Sequence, residues 1–360
     1  MTYSRSGIKT CCLTAGLALS IALAGCSSAN DTGKQAEHMD TSRDTSEQGS
    51  GMEAGQQMAV MDEEEQKKKT VILPEDTAAA LLAGRYKELY GQFSSPMREA
   101  ASYEQLKELA GSFTEGVEAF EPVSRLVLNG LDTRVWTDSS GSKGVMAAHD
   151  EEGAVAGLQV LHLRSYPETD GQMTSKTYAY PFEGEWLVVW GGHNELSNYH
   201  YAYESQRYAA DLVKAVDGYS YKGDPKLNES YYAFGEPVLA PADGTVVHVK
   251  DDIPDNKPVG VMNEAEPAGN VVVIDHGGGE YSMLAHLQQG SAAVRKGDRV
   301  KRGDQIGRCG NSGNSSEPHI HLQVSDGADY AQARSLNIAW EEGELLHGQT
   351  VIGMAGSQTE

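Results

Sequence analysis

Two histidines separated by one residue give the strongest chemical signal in the chain. They are His319 and His321, within the segment 317–324. Alternate side chains of a β-strand share one face, so the two imidazoles would lie about 6–7 Å apart along one face, while Ile320 and Leu322 point to the core. Such a pair suits one metal ligand and one base. A pair of surface histidines has the same spacing, so the motif alone does not decide.

The residues before this pair predict a series of short strands and tight turns. The chain has a Pro/Asp-Gly strand pair, a hairpin through three glycines, Ala285-His286-Leu287, two Gly-Asp turns and Gly-Asn-Ser-Gly-Asn, in segments 234–247, 270–287, 296–306 and 310–314. This combination resembles the lysostaphin-type (LytM-like) zinc metallopeptidases, which cut peptidoglycan peptides. The resemblance covers residues 198 to about 339. It implies a mainly β domain with antiparallel sheets and a duplicated hybrid motif.

The resemblance implies a role for each matching side chain. His321 and Asp211 correspond to zinc ligands, with one Zn²⁺ per chain. His286 and His319 correspond to the two histidines that do not bind the metal, and that hold or activate the water and stabilise the oxyanion. The implied activity is that of a zinc metalloendopeptidase acting on peptidoglycan.

The chain departs from this family at one ligand. The family has histidine four residues before the aspartate, where this chain has Arg207. A guanidinium stays protonated in proteins and cannot bind zinc. His200, eleven residues before Asp211, is expected to replace it, because a subset of the family has an Asn-Tyr-His segment at this place. His193 is the other candidate, expected in the interdomain loop, and Arg207 is expected to point away toward an acid such as Glu204.

Two classes of function stay open. One is a zinc endopeptidase that hydrolyses peptide bonds in peptidoglycan, which the retained Asp211, His286, His319 and His321 favour. The other is a catalytically degenerate module of the same fold that binds wall peptide or activates a partner hydrolase, which Arg207 favours. Glycine bridges and direct cross-links would both fit such a site.

The region before the peptidase-like segment predicts a small α+β domain. Apolar residues recur at helical spacing over 78–93 and 103–113, and six strands follow, at 123–128, 133–137, 145–149, 155–163, 174–180 and 186–190. The order resembles the cone-shaped nuclear-transport-factor-like superfamily and implies a binding or spacer role, with a protein partner as one option. We expect this domain over 73–191, the metallopeptidase domain over 192–345 and a C-terminal tail over 346–360.

Composition narrows the classes of partner. The 360 residues suggest two domains with additional segments. They include 29 basic and 52 acidic side chains, which give a net charge of −23. A chain this acidic lacks the Lys/Arg surface that nucleic-acid binding requires, so we expect no nucleic-acid partner. Cys309 stands apart from the other cysteines and is expected to be packed and inert.

The first residues predict a signal for export and membrane attachment. A short apolar stretch, 11–23, follows two basic residues and ends in Leu-Ala-Gly-Cys26, which resembles a bacterial lipobox. We expect a lipoprotein signal peptide over 1–26, acylation of Cys26, and attachment to the cell membrane on its extracytoplasmic face. Residues 27–72 are polar and charged and are expected to form a disordered linker.

Overall fold

The computed structural model of the protein describes residues 71–355. Five α-helices occur in this range: α1 (Thr77–Leu82), α2 (Tyr86–Gly91), α3 (Ser95–Ala100), α4 (Tyr103–Phe113) and α5 (Pro167–Asp170). The strands are β1 (Phe120–Leu128), β2 (Leu131–Asp138), β3 (Lys143–Asp150), β4 (Val155–His162), β5 (Met173–Tyr178), β6 (Glu185–Trp190), β7 (Ala210–Val213), β8 (Pro237–Leu239), β9 (Gly244–Lys250), β10 (Asn270–Asp275), β11 (Tyr281–Leu287), β12 (Arg299–Val300), β13 (Gln305–Arg308), β14 (Ile320–Ser325), β15 (Asn337–Trp340) and β16 (Thr350–Ile352). The fold is mainly β.

The predicted signal peptide over 1–26, with Cys26, lies outside the described residues, as do residues 27–70 of the predicted linker over 27–72 and residues 356–360. The predicted end of the linker is wrong, because Ile72 is 1% exposed and packs in the core of the first helices and strands. Among the helices of the described range, none has the length and hydropathy of a membrane span.

Helices α1–α4 pack against a four-stranded antiparallel sheet in the order β1-β2-β3-β4. The predicted helix over 103–113 corresponds to α4, which begins with a capping box between Ser102 and Gln105. The predicted single helix over 78–93 is wrong, because the chain forms α1 and α2 with a turn between them. Gly84 in that turn has φ of 70°, a conformation that ends the helix and that glycine adopts at little cost.

An eight-stranded sheet dominates the remainder, in the order β12-β9-β10-β11-β14-β7-β6-β16. Its central strands β10, β11 and β14 are buried on both faces, which explains their nearly continuous apolar sequences. The main core of this sheet includes Ile274, Leu284, Ile320 and Leu322, each no more than 1% exposed. Full burial of such a side chain is worth about 1.5–3 kcal/mol, so the sheet is a rigid support for the polar side chains that it carries.

The predicted domain boundaries at residues 191 and 346 are wrong, because strands on the two sides of each boundary pair with one another. β6 pairs with β7 and β16 within the larger sheet, and β5 pairs in parallel with β15. Trp186 and Val188 of β6 are buried in the core of that sheet. The predicted tail likewise contains β16. The sequence of a strand indicates which of its faces are buried, but not which sheet its neighbouring strands belong to. For this reason, sequence alone places β5 and β6 in the preceding domain.

Candidate metal centre

Three neighbouring strands of the large sheet carry most of the predicted site. Asp211 on β7 lies directly opposite His321 on β14, and His321 lies opposite Ala285, the residue before His286 on β11. His200 lies on a 3-10 turn, Tyr199–Ala202, shortly before β7. The antiparallel register thus brings residues far apart in the sequence to one place on the sheet.

The structure brings His200, Asp211 and His321 together. One possible ligand atom from each lies within 4.8 Å of the others, and in the described range this is the group of His, Cys, Asp and Glu side chains that could hold a metal ion. Nδ1 of His321 lies 2.9 Å from Oδ1 of Asp211, and Nε2 of His200 lies 3.5 Å from Oδ2. All three side chains are buried, so their interactions are screened little by solvent.

His200 directs an unprotonated nitrogen at the carboxylate. Nδ2 of Asn198 donates to the carbonyls of Gly192 and Ala209, at 3.1 and 3.0 Å, which fixes the orientation of this amide. Its Oδ1 can therefore only accept from Nδ1–H of His200, at 2.8 Å, so Nε2 of neutral His200 carries a lone pair. This Nε2 is buried and has no hydrogen-bond partner in the described structure. A buried lone pair facing Asp211 is costly unless a cation lies between them.

His321 is oriented in a similar way. Nε2 of Gln323 donates to the carbonyl of Ser205 at 3.0 Å, so its Oε1 faces Nε2 of His321 at 3.1 Å. His321 thus donates from Nε2–H to Gln323 and directs Nδ1 to Asp211. Histidines that bind metals commonly donate their other N–H to such a partner. The donor set of two imidazole nitrogens and one carboxylate fits zinc with a fourth position open for water.

The charges of the cluster suit a cation. Burial lowers the pKa of His200 to about 3, which keeps this imidazole neutral at physiological pH. Burial acts to raise the pKa of Asp211, but His200, His319 and His321 outweigh it and hold that pKa far below its ordinary value. Burial also acts to lower the pKa of His321, but the hydrogen bond to Asp211, the charge of Asp211 and the hydrogen bond to Gln323 together raise it above its ordinary value. Asp211 is therefore the negatively charged group of the cluster, and the imidazoles of His200, His319 and His321 lie around it.

His286 and His319 form a second pair beside the cluster, with ring centroids 4.8 Å apart. Nδ1 of His286 donates to the carbonyl of Ser312, and Nδ1 of His319 donates to that of Glu317, both at 2.8 Å. Nε2 of each ring is therefore left to accept a proton. Burial lowers the pKa of His286 well below its ordinary value. Its backbone has φ of 57°, a strained conformation for a non-glycine residue of the kind often seen at functional sites.

Arg207 lies in another environment. Its guanidinium carbon is 3.4 Å from the ring centroid of Tyr166, and Nε donates to the carbonyl of Tyr201 at 3.3 Å. Arg207 points away from the cluster as expected, but within residues 71–355 it forms no ion pair with Glu204, so that part of the expectation is wrong. Stacking on Tyr166 satisfies the buried guanidinium instead.

The other histidines considered from the sequence lie outside the cluster. Nε2 of His193 is 3.3 Å from Oδ1 of Asn337 and 3.5 Å from Glu344. His149 bonds Thr77, His276 bonds Asp243 and Ser282, and His347 bonds Ser124. Cys309 is buried, and burial raises its pKa well above the ordinary value.

The sequence analysis missed the two residues that orient His200 and His321, which are Asn198 and Gln323. Gln323 could have been found, since it shares the strand face of His319 and His321 at the next alternate position. The role of Asn198 depends on backbone carbonyls at residues 192 and 209, which local sequence does not place.

Comparison with known proteins covers part of the chain. A model of peptidase family M23 matches residues 230–334, a range that includes His286, His319 and His321, while His200 and Asp211 precede it. Peptidoglycan DD-endopeptidase ShyA of Vibrio cholerae is 37% identical over 90 residues, which are 25% of this chain and 17% of that protein. An uncharacterized metalloprotease of Haemophilus influenzae is 36% identical over 89 residues, which are 25% of this chain and 16% of that protein.

The aligned stretch therefore spans about a sixth of the length of these relatives. Among solved structures, the catalytic domain of the antimicrobial peptidase lysostaphin from Staphylococcus simulans aligns with 19% identity and a TM-score of 0.24, covering 44% of this chain and 87% of that one. The family model and the two relatives support a peptidase M23 domain within this chain.

Proposed function

We propose that the protein is a zinc-dependent endopeptidase that hydrolyses peptide bonds in peptidoglycan. The observation that carries the proposal is the buried, unpartnered Nε2 of His200, which faces the carboxylate of Asp211 beside His321. Three donors of this kind with two further imidazoles next to them meet the chemical needs of a hydrolytic zinc site. Relatives named as peptidoglycan endopeptidases support peptidoglycan as the substrate.

The proposed mechanism divides the five side chains into two groups. Nε2 of His200, a carboxylate oxygen of Asp211 and Nδ1 of His321 would hold the metal. A bound zinc ion would supply an acidic water and polarise the scissile carbonyl. His286 and His319 keep Nδ1–H on backbone carbonyls, so each can take a proton at Nε2 and return it to the leaving amine.

Position favours His319 as the residue that takes the proton. Its Nε2 lies 3.7 Å from Oδ1 of Asp211, so it borders the ligand cluster directly. His286 makes no such contact with Asp211 among the described residues, and its ring centroid lies 5.7 Å from that of His321. We assign His286 to orienting the water and stabilising negative charge on the attacked carbonyl.

The test is digestion of purified peptidoglycan by the purified full-length protein. We expect release of peptides, loss of release after chelation, and recovery on adding zinc. The matched control is His319→Ala, which should release peptides at least about 100-fold more slowly under the same conditions. Binding to peptidoglycan without release of peptides, in protein that contains zinc, would contradict the proposal and favour a module that binds wall peptide or activates a partner hydrolase.

We also propose that acylated Cys26 holds the protein on the extracytoplasmic face of the cell membrane. The Leu-Ala-Gly-Cys sequence after a short apolar stretch supports this anchor, because two acyl chains give stable attachment. Cys26→Ala should move the protein from the membrane fraction to the soluble fraction or leave its leader uncleaved. An unchanged, processed protein in the membrane fraction would contradict the proposal.

A further inference from the structure

A segment that follows the four-stranded sheet contacts the loop that carries His200. We call residues 164–170 the docking segment and residues 198–208 the ligand loop. Arg207 of the ligand loop stacks on Tyr166 of the docking segment at 3.4 Å, and the backbone N–H of Tyr166 donates to the hydroxyl of Tyr201 at 3.1 Å. The rings of Tyr166 and Tyr201 also meet edge to face, with centroids 5.2 Å apart.

Asp170, at the end of the docking segment, binds both flanks of the ligand loop. Its two carboxylate oxygens accept hydrogen bonds of 2.8 Å from the hydroxyls of Tyr201 and Tyr208. Tyr201 directly follows His200, and Tyr208 lies three residues before Asp211. Burial and the nearby Asp170 raise the pKa of Tyr208 to about 12, so this hydroxyl remains a donor at physiological pH. One carboxylate thus joins the flanks of two metal-binding side chains.

The docking segment is itself held by the two-stranded sheet of β5 and β15. The backbone carbonyl of Asp170 accepts a hydrogen bond of 2.7 Å from Nδ2 of Asn337 on β15. The hydroxyl of Tyr208 lies 2.7 Å from that of Thr169. These contacts fix the docking segment relative to β15, so the ligand loop is fixed through it as well.

The ligand loop depends on such anchors because its own backbone bonds are mostly short-range. Tyr201, Tyr203 and Gln206 bond carbonyls three residues earlier, and these turns leave the position of the loop on the sheet undetermined. The ligand loop has further anchors at Ser335, which bonds the backbone of Glu204 and Tyr208, and at Gln323 on β14, which bonds the carbonyl of Ser205. Asn198 holds the start of the loop through the carbonyls of residues 192 and 209. A ligand held on an unanchored loop would lose conformational entropy when the metal binds, and affinity would fall.

We propose that Tyr166 and Asp170 are positioning residues that hold the ligand loop so that His200 meets Asp211 and His321. This inference rests on the proposed function. It gives Arg207 a structural role that the sequence does not indicate, because its side chain anchors the loop on Tyr166 instead of binding metal. It also makes the region before the peptidase domain a structural part of the metal centre.

The test uses the full-length protein and three variants: Tyr166→Ala, Tyr166→Phe and Asp170→Asn. Tyr166→Phe is the matched control, since it keeps the ring under Arg207 and the backbone N–H, and the described structure shows no hydrogen bond from the Tyr166 hydroxyl. Zinc affinity is measured by competition with a chromogenic chelator. We expect Tyr166→Ala and Asp170→Asn to weaken binding by about 10- to 100-fold, as changes beside metal ligands commonly do, and Tyr166→Phe to bind like the wild type.

Hydrogen exchange of the metal-free proteins supplies an independent measurement. Amides of residues 198–211 should exchange faster in Tyr166→Ala and Asp170→Asn, while amides of the buried strand β10 keep their protection and show that the fold is intact. Unchanged zinc affinity and unchanged exchange of 198–211 in these two variants would overturn the inference and leave the proposed function standing. If the wild type binds no zinc, the proposed function fails, and the exchange measurement alone decides whether the docking segment positions the loop.

Discussion

The hydroxyl of Ser220 donates a hydrogen bond of 2.8 Å to Oε2 of Glu317. Asn129, in the turn between β1 and β2, donates to the same hydroxyl at 3.0 Å and accepts the backbone N–H of Ser220 at 2.9 Å. The carbonyl of Glu317 in turn accepts Nδ1–H of His319. A chain of hydrogen bonds therefore runs from the four-stranded sheet to one of the two histidines beside the proposed metal ligands.

From this chain we predict that Ser220→Ala lowers kcat without lowering zinc affinity. Loss of the hydroxyl frees the Glu317 side chain, and the backbone that orients His319 becomes less fixed. We expect about a tenfold lower kcat, the equivalent of about 1.4 kcal/mol of transition-state stabilisation. Ser139→Ala, at an exposed serine for which the described structure shows no side-chain hydrogen bond, is the control. A kcat equal to that of the control would show that the chain does not position His319.

Changes at the two histidines beside the cluster should separate catalysis from metal binding. We predict that His319→Ala and His286→Asn both retain zinc and lose about 10²- to 10⁴-fold in kcat, the range for removal of an acid–base group. Asparagine is chosen at 286 because it tolerates a positive φ better than alanine does. Zinc content and peptide release are measured on the same preparations. Loss of zinc in either variant would make that histidine a ligand and would refute the division of roles.

His347 should make stability depend on pH. Burial lowers its pKa from 6.5 to about 4 in the folded protein. Between these values the unfolded chain binds more protons, so stability is complete above pH 6.5 and falls as the pH drops toward 4. The full shift in pKa corresponds to about 3–4 kcal/mol, of which about 2–3 kcal/mol is lost between pH 7 and pH 4.5. Between pH 7 and pH 4.5 the free energy of unfolding should therefore fall less in His347→Asn than in the wild type, by about 2–3 kcal/mol. Equal losses in the two proteins would contradict the prediction.

The parts of the site that follow from strand periodicity could be predicted from the sequence. His319 and His321 share a strand face with Gln323 whatever the rest of the fold, and the turns before them limit the possible sheets. The structure then brings His200, Asp211 and His321 to one place, although their binding of a metal stays a prediction.

The parts that depend on distant packing could not be predicted. Arg207 and Tyr166 are 41 positions apart, and no local pattern indicates that the guanidinium stacks on that ring. The same limit applies to β6, whose apolar sequence suited either sheet equally well before its pairing with β7 was known. An isolated sequence reports burial and periodicity, whereas these contacts depend on which elements the whole chain brings together.

The most direct measurement of the central claim is the zinc content of the purified full-length protein, compared with His200→Ala and His193→Ala. The wild type and His193→Ala should each contain one zinc ion per chain, because His193 contacts Asn337 and Glu344 away from the cluster. His200→Ala should contain none after dialysis, since Asp211 and His321 alone give too few ligands to retain the metal. Full zinc content in His200→Ala, or none in the wild type at neutral pH, would contradict the account.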